Sequence, residues 1–313
     1  MGDRKIILGH NSEGLNVLSL CDGMSCGQIA LRELHIPIAH YWSSEIDKTA
    51  ISVTQSNFPD TIQIGNVENI TEEFLKSLPK IDLVMFGFPC RSMTKATAGT
   101  EYNNGLKGVS GLFYPCNKIL QWIKHFNNPD VKWFVENVDS SKTEDIITIN
   151  NILGVDAVLI NSNLFSAQDR KRNYWTNIPI AELPQYNNTV LKDIMDSNVS
   201  EKYFYNKPFT YYGDDKKVCA TLHINGHDIL KRVNNKNFKS PTLTACRGGN
   251  LQKKVFDNGR CRKLTPNEYR KLQTIPDWYK MDVSDSSIYN LCGDGWTVEV
   301  IKHIFKGLYR GIE

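Results

Sequence analysis

Residues 87–92 read Gly-Phe-Pro-Cys-Arg-Ser and follow an apolar run at 81–86, so Cys90 stands directly after a proline at the end of a segment with the composition of a buried strand. Ligands of open α/β sheets collect at strand carboxyl ends, which gives this thiol the position of a nucleophile at a site mouth. Four further groups follow in order. Residues 134–138 place Glu136 and Asn137 at another strand end, and residues 168–172 offer Arg170 and Arg172 on one side of an extended segment. Residues 262–273 begin a helix, and Cys-Gly-Asp-Gly-Trp-Thr-Val at 292–298, with Asp294 and Trp296, opens the last one. Taken singly, each has a plain structural reading: a strand-end ion pair for Glu136, a solvated face for the arginines, core packing for Trp296.

A second cluster lies near the start. After a β-rich run at 15–20 come Asp22, Gly23 and Gly27, a glycine turn that lets backbone approach a ligand at a helix N-terminus. Its glycines are four apart, not in the G-x-G-x-x-G pattern. Glu45 closes the next strand, where a carboxylate can accept from two ribose hydroxyls. This suits NAD and S-adenosylmethionine alike.

The elements that must hold these groups alternate. Strands are expected at 15–20, 40–44, 61–64, before Cys90, and at 131–135, 157–161 and 174–177; helices at 28–34, 47–58, 72–78, 112–125 and 144–152. Alternation implies an α/β fold with a doubly wound, mostly parallel Rossmann-like sheet. Beyond Pro179 the pattern breaks into short β-like pieces rich in Asn, Lys, Gly and Tyr, read as a smaller irregular domain. Helical signals return at 265–273 and 297–309. The division expected is 1–179, 180–260 and 261–313, the last part returning to the first.

The bulk numbers narrow the class. The chain has 313 residues, 41% hydrophobic and 23% charged, with no apolar stretch of the roughly 20 residues that span a bilayer and no signal-peptide pattern at the start. The expectation is therefore no membrane, and a cytoplasmic or, in a eukaryote, nuclear location. Eight cysteines without a Cys-x-x-Cys pair argue for reduced thiols and no metal. Net charge is only +3, yet residues 202–280 hold seventeen Lys/Arg against six Asp/Glu, a balance suited to a polyanion.

In this order the motifs resemble the C5-cytosine DNA methyltransferase family, from Leu15 to about Phe305 with 180–238 unmatched; Ser110-Gly-Leu-Phe and the spacing from Cys90 to Glu136 are most similar to its compact branch of animal de novo and phage enzymes. Ser240-Pro-Thr-Leu-Thr-Ala resembles the segment closing the family's target-recognition region. The resemblance implies methyl transfer from S-adenosylmethionine to C5 of a flipped-out cytosine in double-stranded DNA, leaving S-adenosylhomocysteine. Cys90 would add to C6, a protonated Glu136 would act at N3, Arg172 would contact the base, and Arg170 would help steady the O2 edge and orient Glu136. Asp22, Gly23, Gly27, Glu45, Ile46, Asn66, Pro89, Asp294 and Trp296 would line the cofactor site. Ser92 would meet a phosphate or the loop at 91–111, and Arg247 and Lys253 would meet DNA.

Three positions depart from the family. Cys21 stands where an aromatic residue is common, Asn66 where Asp is, and Asp294 where Asn is. Competing readings are a tRNA methyltransferase on the same scaffold, whose Cys-Phe-Thr signature is absent, a silent DNA-binding homologue, and a Rossmann dehydrogenase, which explains neither Pro-Cys nor the arginine pair. Monomer and homodimer stay open, as does a place in a restriction-modification system.

Overall fold

The computed structural model describes residues 14–94, 100–101, 103–140, 142–246 and 250–309. In chain order the strands are β1 (Leu15–Leu20), β2 (Ile38–Ser44), β3 (Ile62–Gln63), β4 (Leu83–Gly87), β5 (Lys132–Val138), β6 (Val158–Asn161), β7 (Lys171–Thr176), β8 (Phe209–Tyr211), β9 (Val218–Leu222), β10 (Arg232–Asn235), β11 (Lys254–Asp257) and β12 (Arg260–Lys263). The helices are α1 (Cys26–Glu33), α2 (Lys48–Asn57), α3 (Glu72–Ser77), α4 (Phe113–Trp122), α5 (Thr143–Leu153), α6 (Leu191–Ile194), α7 (Asp228–Lys231), α8 (Pro266–Leu272), α9 (Asp285–Asp294) and α10 (Val298–Phe305).

Seven strands form one sheet in the order β3-β2-β1-β4-β5-β7-β6, with the order reversing between β1 and β4. Pairings among the first five are parallel, while β7 runs antiparallel to β5. The central strands are apolar because both faces are covered: all six residues of β1 are buried, and Leu18, Leu20, Val84, Phe86, Trp133, Val135 and Trp175 share one core with Phe113 of α4. The helices start where the chain supplies caps. Asp47 accepts from Thr49 N and Ala50 N at α2, and Thr265 and Glu268 make a reciprocal capping box at α8 with Pro266 in the first turn. The expected alternation and the mostly parallel sheet are both present. Among the described residues no helix is long and apolar enough to cross a membrane.

The chain forms two compact units. The larger runs to Ile160 and takes in Lys171–Glu182 and the chain from Ile301; the smaller holds Asn161–Arg170 and Leu183–Val300. This differs from the expected division at 261. β12 spans that position and pairs along its length with β11, and Arg262, fully buried, bridges Asp257 and Glu268, so α8 begins inside the smaller unit. That unit is more regular than its composition suggests: five strands in the order β12-β11-β10-β9-β8 enclose Ala220, Leu222, Val233 and Cys261. The helix α9 was not expected; residues 292–294 end it rather than open the last helix.

The chain from Ile301 belongs to the larger unit. Phe305 meets Phe134 of β5 edge-on at 5.4 Å, and the Tyr309 hydroxyl donates to Leu34 O. Gly307 lets the chain close down, since a Cβ there would lie 2.0 Å from Pro179 O. Gly307→Ala is therefore expected to destabilise the protein by about 1–3 kcal/mol, read as a lower urea midpoint; an unchanged midpoint would mean that the last turn lifts away freely.

Candidate active site

The parallel register of β4 and β5 sets Gly87 beside Glu136. Past Gly87 the chain turns: Phe88 is buried, Pro89 exposed and Cys90 half-buried against the main core. Met93 N and Thr94 N both donate to Cys90 O, at 2.9 and 3.0 Å, closing the turn that carries the thiol. Asn137, one residue past Glu136, donates from Nδ2 to Phe88 O at 2.9 Å. The strand of Glu136 thus grips the loop of Cys90 directly. The loop returns onto the same segment: Ser140 Oγ donates to Met93 O at 3.3 Å and Lys142 Nζ to Asn103 O at 2.9 Å.

Glu136 is 8% exposed, and Arg172 Nε lies 3.0 Å from its Oε1. The register makes this pair. Glu136 lies opposite Tyr174 and Val138 opposite Arg172, so Glu136 and Arg172 are diagonal neighbours on one face of the antiparallel β5–β7 ladder.

Arg170 is engaged by main-chain oxygens. It is 2% exposed, belongs to the smaller unit, and donates from Nη1 to Leu243 O (2.9 Å) and from Nη2 to Gly293 O (3.0 Å) and Gly295 O (2.9 Å). It immediately precedes β7. Through these bonds it holds the 240–245 and 292–298 segments together. Gln168 assists: Nε2 donates to Leu272 O and Gln273 Oε1, while Oε1 accepts from Leu243 N. Gln273 donates to Cys292 O and Gly295 O and accepts from Thr297 Oγ1. Gly293 is needed where these segments meet, because a Cβ would lie 2.2 Å from Ala245 N. Asp294 next to it is exposed and Trp296 is 8% exposed, both within the smaller unit.

At the β1 end, Cys21, Gly23 and Ser25 have φ of 52°, 57° and 55°, so every second residue of the turn is left-handed. Such conformations in non-glycine residues cost energy and need support. Asp22 provides it. Its Oδ1 accepts from Ser19 Oγ (2.5 Å) and Tyr41 Oη (2.7 Å), and its Oδ2 from Ser43 Oγ (3.0 Å) and Ser25 Oγ. A carboxylate has about four acceptor positions, and all are used inside the protein. Asp22 is therefore a brace under the turn rather than a ligand to a cofactor. Burial pushes its carboxyl up from the ordinary range, against the four hydroxyl donors that favour the charged form, and burial with the nearby Asp22 charge pushes the Tyr41 phenol up. Ser25, spent on Asp22, does not cap α1, which contains Gly27.

Glu45 is half-buried and fixed by backbone: Gly23 N donates to Oε2 at 2.7 Å, Ile46 N and Asp47 N to Oε1 at 2.7 and 2.8 Å. Ile46 beside it is 70% exposed, and nothing lies within 4 Å of where a Gly23 Cβ would be. Asn66 Oδ1 accepts from Glu68 N at 3.0 Å, capping a short 3-10 turn, so its oxygen serves the fold and keeps one lone pair. Among the expected DNA contacts, Ser92 is 2% exposed and bonded to Ser110 through Oγ at 2.9 Å, which makes it a loop contact and not a phosphate contact. Lys253 is half-buried in the smaller unit, and Arg247 lies outside the described residues.

The model of the C-5 cytosine-specific DNA methylase family matches residues 15–310. The chain is 26% identical to the type II methyltransferase M1.ScrFI of Lactococcus lactis subsp. cremoris over 87% of its own length and 72% of the relative's, and 26% identical to the type II methyltransferase M.HhaI of Haemophilus parahaemolyticus over 93% of each. The S. pombe Dnmt2 methyltransferase structure superimposes with a TM-score of 0.67 at 17% identity, covering 94% of this chain and 98% of that one.

Replacing Asp22 by Asn puts an amide donor among four hydroxyl donors. It should cost about 1–3 kcal/mol and lower the melting temperature. Arg170→Met strands buried carbonyls and should cost at least as much, whereas Arg172→Met, whose side chain is 12% exposed and ties only Glu136 and its own neighbour's carbonyl in the described bonds, should change thermal stability less. Equal losses from the two arginines in a thermal melt would contradict their separation into scaffold and site.

Proposed function

The chain belongs to the C-5 cytosine-specific DNA methylase family, and from that membership we propose that it methylates C5 of a flipped-out cytosine in double-stranded DNA through a covalent Cys90 intermediate. The observation that carries this reading is the joining of Cys90's turn to the Glu136 strand through Asn137, with Arg172 on Glu136.

Cytosine C5 is a poor nucleophile, so the ring must first be activated. Cys90, as thiolate, adds to C6; Glu136 hydrogen-bonds N3 with its proton and relieves the charge forming in the ring, and Arg172 holds Glu136 while facing the base. Loss of the C5 proton later expels the Cys90 thiolate and restores the aromatic ring. Because these atoms are hidden in a stacked duplex, the target nucleotide leaves the helix at a cost of a few kcal/mol. The loop returning to Ser110 is fixed at Ser140 and Lys142, which gives it footing beside the opened site.

S-adenosylmethionine is the methyl donor in this reading, and its sulfonium supplies an electrophilic methyl group. The residues fit such a nucleoside: Glu45 is held by three backbone donors and keeps acceptor capacity for ribose hydroxyls, Ile46 offers an exposed apolar surface, and open space adjoins Gly23. Cys21 stands at the same turn, where an aromatic residue is common in the family. Lysines and arginines of residues 202–280 would supply phosphate anchoring.

Incubation with labelled donor and either duplex DNA or tRNA should label the DNA; label in tRNA alone would move the reading to RNA, and label in neither would favour a silent homologue. Cys90→Ser should abolish transfer while DNA affinity stays within about twofold, and wild type should leave a denaturation-resistant adduct on 5-fluorocytosine DNA. Appreciable turnover by the serine variant would refute the covalent role. Arg172→Ala should lower kcat about a hundredfold, measured at saturating donor and DNA.

A further inference from the structure

Lys254 and Lys263 are direct partners across the antiparallel β11–β12 ladder, where like charges opposite one another repel. Lys254 is 1% exposed, and its Nζ donates to Asn250 O at 2.7 Å and Gln252 O at 3.0 Å. Lys263 is half-buried, and both ammonium groups lie 5.7 Å from the centre of the Tyr205 ring. Lys253, half-buried, immediately precedes the same strand. Among the described residues no carboxylate pairs with any of the three: Asp257 is taken by Arg262 and Lys236, and Glu268 by Arg262. Two carbonyls and an aromatic face soften this concentration of positive charge without cancelling it.

We propose that Lys253, Lys254 and Lys263 form a binding site for a phosphate oxyanion, which in the working protein is a backbone phosphate of DNA. The choice of DNA as the source rests on the reading given above; the oxyanion chemistry does not. Lys253 and Lys263 make the contacts, and Lys254, closed to solvent, contributes its field from behind. Burial and the two neighbouring lysines depress Lys254 to about 8, and burial lowers Lys253 as well. An anion between them reverses the repulsive part of that shift.

The test uses the full chain with a fluorescent duplex of random sequence, and follows affinity against sodium chloride. Lys263→Gln should reduce the slope of log K against log[salt] by about one and weaken binding severalfold at 100 mM salt. Lys254→Met should weaken binding and, because Asn250 O and Gln252 O lose their donor, lower the melting temperature; Lys254→Arg, which keeps the charge, should restore the affinity, an outcome that a merely structural role would not require. Wild-type affinity and slope in both Lys263→Gln and Lys254→Met would overturn the site. A second arm compares melting temperatures in inorganic phosphate and in chloride at equal ionic strength, for wild type and for Lys253→Gln/Lys263→Gln. If wild type binds no DNA but phosphate stabilises it and not the double variant, the site stands and the DNA reading fails; no DNA binding and no phosphate effect would end the proposal.

Discussion

The parallel pairing of β4 with β5 is the constraint on which the site depends. It sets the end of one strand against the middle of the next, so the chain leaving Gly87 emerges beside Glu136. Nothing in that pairing would fix the thiol by itself, because Cys90 lies three residues beyond the ladder in a turn. Asn137 supplies the missing tie by donating to Phe88 O, and Ser140 repeats it at Met93 O. Nucleophile and carboxylate are positioned by one backbone segment, and a shift of β5 by one residue would turn Glu136 to the opposite face.

The antiparallel strand β7 adds the cation by the same logic. The chain reaches it through α5 and β6, and its register sets Arg172 diagonally across from Glu136. The donor-side turn is built differently. There three left-handed residues in five are held by Asp22, whose four hydroxyl partners come from β1, the turn itself and β2. Preorganisation in one place comes from strand register, in the other from a saturated carboxylate.

These two devices explain what was legible in the sequence. Strand and helix positions in the larger unit follow from apolar runs broken by Gly, Asp and Pro, and Cys90, Glu136 and Arg172 could be singled out because their motifs end strands or lie in a ladder. Arg170 and Asp22 carry the same chemical groups as Arg172 and Glu136, and sequence alone does not show that a buried guanidinium meets three carbonyls or that a carboxylate meets four hydroxyls. The signal was there only as companions: Ser19, Ser25, Tyr41 and Ser43 for Asp22, Gln168 and Gly293 for Arg170. Helix α9 was missed because Asp-Ser-Ser reads as a turn until Ser284 is seen capping the helix at Ser287 N. The regular sheet of the smaller unit was hidden by strands of three to five residues with polar faces.

How the smaller unit treats its buried cations bears on its partner. Arg262 is neutralised by Asp257 and Glu268, and adds no net field. Lys239 donates to the carbonyls of Asn163, Ser166 and Asn187, and Lys254 to those of Asn250 and Gln252. Carbonyl oxygens satisfy the hydrogen-bonding needs of an ammonium group without removing its charge. A fold under no pressure to stay positive would gain stability by burying apolar side chains at such places. Retaining charged lysines there keeps the potential of the unit positive from within, where counterions screen it least, and the surface lysines of residues 202–280 add to a field that already points toward a polyanion.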